Sequence, residues 1–157
     1  MVVAKRPELL LLDEPVATLD PLARREFLQT LMEVVAVQGV SIVLSSHLLA
    51  DLERVCDNLV VLVSGHVAVS GDVDALLASH RRLVGPRRDI TAMPANQSVI
   101  EASHADRQTT LLVRAEDPIL DPAWTVTAVT LDDIVLPYMR QAREGAEAFP
   151  NALAVAQ

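Results

Sequence analysis

Leu9-Leu10-Leu11-Leu12-Asp13-Glu14-Pro15 decides the reading of this chain. Four consecutive apolar residues ending in two acids suit a short strand buried on both faces. Asp20-Pro21 follows as a helix start, with Asp20 at the cap and Pro21 at the first helical position. A helix is expected over Leu22–Gln38, with Leu28, Leu31, Met32 and Val35 on one face, stopped by Gly39. Val40–Ser45 reads as a second, β-branched strand, and Leu48–Val55 as a short helix. Strand, helix, strand in that order is a right-handed crossover that makes the two strands parallel. The fold class is therefore α/β, with helices on the sheet faces.

Ligands of open parallel sheets bind beyond the carboxyl ends of the strands. Asp13 and Glu14 leave one such end and His47 leaves the neighbouring one. All three are expected on a common edge. One carboxylate there can hold Mg²⁺, usually through water, because hard cations prefer oxygen. A second can orient or deprotonate an attacking water. An imidazole can donate a hydrogen bond where charge develops on a phosphate.

Further along, Asn58–Ser64 and His66–Ser70 suit a hairpin about Ser64-Gly65, and Gly71-Asp72 opens a helix over Val73–Ser79. Arg81–Pro94 carries four arginines with Gly85, Pro86 and Pro94, the composition of a linker. Beyond it, Ser98–His104 and Gln108–Ala115 suit paired strands, Trp124–Val129 a third, and Asp132–Arg143 a helix kinked or delayed by Pro137. His66, His80 and His104 have no mutual spacing that suggests a metal site and are expected at the surface. Trp124 is expected as a core anchor.

Composition narrows the function. The 157 residues are 51% hydrophobic, enough for a sizeable core. A net charge of −8 argues against broad contact with nucleic-acid phosphates, and 3% aromatics against a stacking platform. No apolar run approaches the ~20 residues of a membrane span. One cysteine, Cys56, cannot form an internal disulfide. Together these predict a cytoplasmic protein that neither inserts in the membrane nor binds nucleic acid.

Leu9–Pro15 resembles the Walker B strand of an ABC ATPase, an acid pair followed by proline. Ala17-Thr18-Leu19-Asp20 resembles the D-loop of that family, and Ile42–His47 its switch-histidine strand. Cys56-Asp57-Asn58, Val61-Leu62, Gly65 and Gly71 resemble the hairpin that follows. The match covers Pro7–Leu83. It implies a partial P-loop NTPase sheet over residues 1–83, a linker over 84–96, a small α+β accessory segment over 97–145 and a tail over 146–157.

The resemblance implies a role for each matched residue. Asp13 would bind Mg²⁺ through water, Glu14 would be the general base for ATP hydrolysis, and His47 would contact the γ-phosphate. Asp20 would reach across a head-to-tail ATPase dimer. The partners would be transmembrane permease subunits, which hold the ATPase on the inner face of the cell membrane. Thr130–Leu136 is similar to the start of the last helix in many bacterial drug or export ATPases, which implies export.

The family also needs G-x-x-x-x-G-K-S/T, whose backbone N–H groups wrap the phosphates. The first glycine of this chain is Gly39, and it holds no Gly-Lys pair. The Ser-Gly-Gly signature and the glutamine loop are absent from it too. The chain is thus expected to be the C-terminal half of such an ATPase, unable to bind or hydrolyse ATP well alone. Two other functions compete: a non-catalytic remnant that docks onto an intact ABC subunit, and a soluble ABC ATPase outside transport.

Overall fold

The computed structural model describes residues 7–88, 90, 93, 94 and 96–148. Lys5 and most of the expected 146–157 tail lie outside the described residues. The chain divides into two compact units, Met1–Val55 and Cys56–Gln157.

The first unit is built from β1 (Leu9–Leu12), α1 (Pro21–Gln38), β2 (Ser41–Leu44) and α2 (Leu49–Val55). β1 and β2 pair in parallel, from Leu9 opposite Ser41 to Leu12 opposite Leu44. Leu10, Leu31 and Val40 form the core, with Leu12, Phe27, Val34, Val35 and Ile42 packed around them. Asp20 caps α1 by accepting the N–H groups of Leu22 and Ala23. Pro21 follows it, and Gly39 ends the helix at φ 64°, its N–H donating to the Val35 carbonyl. Both ends match the sequence reading. Met32 does not: it is exposed, and Phe27 and Val34 complete the buried face instead. The expectation that β1 is buried on both faces is met on one. Side chains alternate across a strand, so the face away from α1 leaves Leu9 at 52% and Leu11 at 69% exposure.

The second unit begins with the antiparallel hairpin β3 (Asn58–Val63) and β4 (His66–Asp72). Ser64 and Gly65 turn it with φ of 50° and 79°, the two positive values of a type I′ turn. Asp72 caps α3 (Val73–Ser79) by accepting the Ala75 N–H. A four-stranded antiparallel sheet follows, in the order β6 (Gln97–His104), β7 (Gln108–Ala115), β5 (His80–Pro86), β8 (Thr125–Thr127). On one face Leu83, Leu111, Val113 and Trp124 form a core. On the other, Leu112 meets Val129 and Ile134, flanked by Leu76, Leu77, Ile100 and Tyr138. The last helix, α4 (Leu131–Ala148), continues through Pro137. Thr130 and Asp133 cap it reciprocally, each accepting the other's backbone N–H.

Two expectations fail in this unit. Val84, Gly85 and Pro86, placed in a linker by composition, belong to β5 and pair with β7. The arginines are accommodated because they have partners: Arg82 pairs with Asp133, and Arg81 donates to the carbonyls of Leu77 and His80. His80 is not a surface residue. It is 1% exposed, and its ring lies between the Leu76 carbonyl and the Tyr138 hydroxyl, at 2.8 and 3.1 Å. No helix among the described residues is long and apolar enough to cross a membrane.

Candidate functional site

Because β1 and β2 are parallel and in register to Leu12 and Leu44, the chain leaves both strands on one edge. The ladder runs one step further, with the Ser45 N–H donating to the Leu12 carbonyl at 2.8 Å. That step sets Ser45 against the acid pair. Its hydroxyl donates to Asp13 Oδ1 at 2.6 Å and accepts the Glu14 N–H at 2.8 Å.

Glu14 is in the left-handed region, at φ 44°. This conformation is sparsely populated by residues with a Cβ and persists when surrounding bonds hold it. Here Ser45 takes the Glu14 N–H, and the Glu14 carbonyl accepts from Ala17. The turn aims the Glu14 carboxylate at His47, whose Nδ1 lies 2.9 Å from Oε2. An ionised carboxylate only accepts, so His47 Nδ1 donates in this pair. Ser46 accepts the Leu48 N–H at 3.0 Å, just before α2.

The structure thus brings together three of the four residues singled out in the sequence: Asp13, Glu14 and His47. Asp20 makes no hydrogen bond to the cluster among the described residues; its carboxylate serves the α1 N-terminus at 2.9 and 3.0 Å. Sequence reasoning missed Ser45. The available signal was register: it stands one position past Leu44, which pairs with the residue before Asp13.

The site is open. Glu14 and His47 side chains are 41% and 64% exposed, so solvent reaches both. A carboxylate and an imidazole in contact can accept a proton from water and pass charge between them. Asp13 is also exposed, and its Oδ2 takes no hydrogen bond among the described residues. No group of three or more His, Cys, Asp or Glu side chains among the described residues forms a metal cage, so that oxygen offers a single ligand to a hard divalent cation that keeps most of its water.

Comparison with known proteins gives the site its context. No family model matches the chain. Curated sequences do. A 73-residue stretch is 40% identical to an uncharacterized ABC transporter ATP-binding protein of Nostoc sp., covering 46% of this chain and 22% of the relative. An 88-residue stretch is 36% identical to the molybdenum import ATP-binding protein ModC of Rhodobacter capsulatus, covering 56% and 24%. A 74-residue stretch is 42% identical to the Nod factor export ATP-binding protein I of Bradyrhizobium sp., covering 47% and 24%.

An α/β chain with an acid pair and an imidazole on one strand edge is therefore also, over about half its length, similar to one class of protein. That class is the ABC transporter ATP-binding proteins. The chain spans about a quarter of the length of these curated relatives.

Proposed function

We propose that this chain is the C-terminal portion of the nucleotide-binding domain of an ABC transporter ATPase, with a P-loop NTPase sheet that β1 and β2 begin. The observation that carries the reading is the cluster of Asp13, Glu14, Ser45 and His47 at the end of two parallel strands. The substrate would be ATP, and Mg²⁺ would neutralise its phosphates and polarise the bond that breaks.

Each residue then has one task. Asp13 would hold hydrated Mg²⁺ through the oxygen that Ser45 leaves open. Glu14 accepts a proton from the attacking water, for which its bond to His47 must open or shift. His47 donates to the γ-phosphate from the ring that now faces Glu14. Asp20 keeps its cap and, in a head-to-tail dimer, meets the second subunit. The partners are permease subunits in the membrane, and the ATPase works on the cytoplasmic side.

An export direction rests on the Thr130–Leu136 pattern alone. Relatives named for import and for export both match at comparable identity, so they favour neither.

The Gly-Lys cradle that holds most of the phosphate charge is absent from these 157 residues, and the acids at the site repel a triphosphate. The polypeptide as it stands therefore holds Mg-ATP weakly and turns it over negligibly. Equilibrium dialysis of the 157-residue chain against Mg-ATP is expected to show no micromolar binding. Saturable binding on the order of micromolar would overturn this account of where the phosphate affinity resides.

A further inference from the structure

The second unit holds a groove that the nucleotide reading does not use. Along β7, Leu111 and Val113 face the Trp124 core, while Leu112 faces Ile134 and Tyr138. Alternation puts Arg114 on the same side as Leu112, and Glu116 follows just past the end of β7. There the sheet and α4 border an open groove of about 440 Å³, lined by Asn96, Ser98, Ile100, Arg114, Glu116 and Tyr138. The β6 wall is bulged: its register against β7 shifts between Val99 and Glu101. The Ile100 carbonyl at the bulge is taken by the Gln141 side-chain amide. Bulges re-aim side chains and are frequent beside binding sites.

The polar groups of the groove are fixed in sense. His80 Nδ1 faces the Leu76 carbonyl, which only accepts, so Nδ1 carries the proton. In the neutral ring, Nε2 then accepts, and the Tyr138 hydroxyl donates to it at 3.1 Å. Tyr138 is left with oxygen lone pairs for the groove. Arg114 supplies a cationic fork and Glu116 a carboxylate. Neither has an ion-pair partner among the described residues. A bare anion there would meet Glu116 and the Tyr138 oxygen; a bare cation would meet Arg114. A molecule with both charges satisfies all three.

We propose that this groove binds a small zwitterion of the α-amino-acid class, its carboxylate on Arg114 and its ammonium on Glu116 and the Tyr138 oxygen. The groove is open to solvent, so the affinity is modest, on the order of millimolar. The site belongs to the second unit alone and does not depend on ATP chemistry at Asp13 and Glu14.

The test is titration of the isotope-labelled 157-residue chain with glycine and L-leucine, followed by amide resonances. Acetate and methylamine serve as single-charge probes. At least one zwitterion is expected to shift the Arg114, Glu116 and Tyr138 amides saturably. Acetate and methylamine should each bind roughly tenfold more weakly or worse. Arg114→Met and Glu116→Gln alter exposed side chains, so the fold should survive, and each should weaken zwitterion binding by roughly tenfold. Absence of a saturable shift at about 50 mM from either zwitterion, or acetate binding as well as they do, overturns the proposal.

Discussion

The Ser45 hydroxyl donates to the Asp13 carboxylate at 2.6 Å while taking the N–H of Glu14 at 2.8 Å. One small side chain thereby spans the acid pair and holds the residue with the left-handed backbone.

Removing that hydroxyl should loosen Glu14 more than it unfolds the unit. Ser45→Ala is expected to cost about 1 kcal/mol, since both bonds are solvent-accessible and water replaces them in part. Amide exchange at Glu14 should accelerate, and Ser45→Thr should restore its protection. Urea unfolding and hydrogen exchange measure the two effects. Unchanged exchange at Glu14 in Ser45→Ala would mean that Ser45 does not hold it.

Acid should weaken the second unit in two stages of the same sign. Burial pushes the His80 ring below its ordinary 6.5, helped by the nearby Arg114 and Arg81 charges and opposed by the bond to Leu76. The folded state therefore favours the neutral ring, and the unfolded chain takes up the proton first. This contribution is present above pH 6.5 and lost as pH falls below it. Asp133 adds a second stage. Burial alone would raise its carboxyl, but the Thr130 N–H and Arg82 outweigh that and hold it below 3.8. Its contribution is lost through the carboxylate range. Urea midpoints read from Trp124 fluorescence should fall between about pH 7.5 and 5.5, and His80→Gln should flatten that interval. A midpoint that rises on acidification would contradict the sign.

Gly85 admits no side chain. A Cβ there would lie 2.6 Å from the Ala123 carbonyl oxygen and 2.6 Å from Trp124 Cε3. Gly85→Ala should destabilise the second unit by roughly 1–3 kcal/mol, the range for overpacking. Gly71→Ala meets only Leu76, at 3.6 Å, and serves as the control. Equal urea midpoints for the two variants would show that the β5 backbone yields more easily than the contact implies.

What the sequence revealed and what it hid divide by distance along the chain. Asp20-Pro21, Gly39 and Ser64-Gly65 act on their own neighbours, so their turns and caps were readable from residue type. The meeting of Asp13, Glu14 and His47 was readable too, because it needs only the direction of two strands. Hidden were features that depend on remote partners. Arg82 meets Asp133 from 51 positions away, and without that partner the arginines of β5 resembled a solvated linker. His80 is buried because Tyr138, 58 positions on, covers it. Ser45 became visible only with the strand register, which decides whether a serine faces an acid or water.

Catalytic assignment of Glu14 is tested most directly in a protein that joins this chain to the glycine-loop half of an ABC transporter ATP-binding relative. ATP binding and turnover are compared with and without Glu14→Gln. The expected result is retained binding with turnover reduced by about 100-fold or more, the scale of losing a positioned base. Unchanged turnover would remove Glu14 from that role and end the reading of this strand edge as a hydrolytic site.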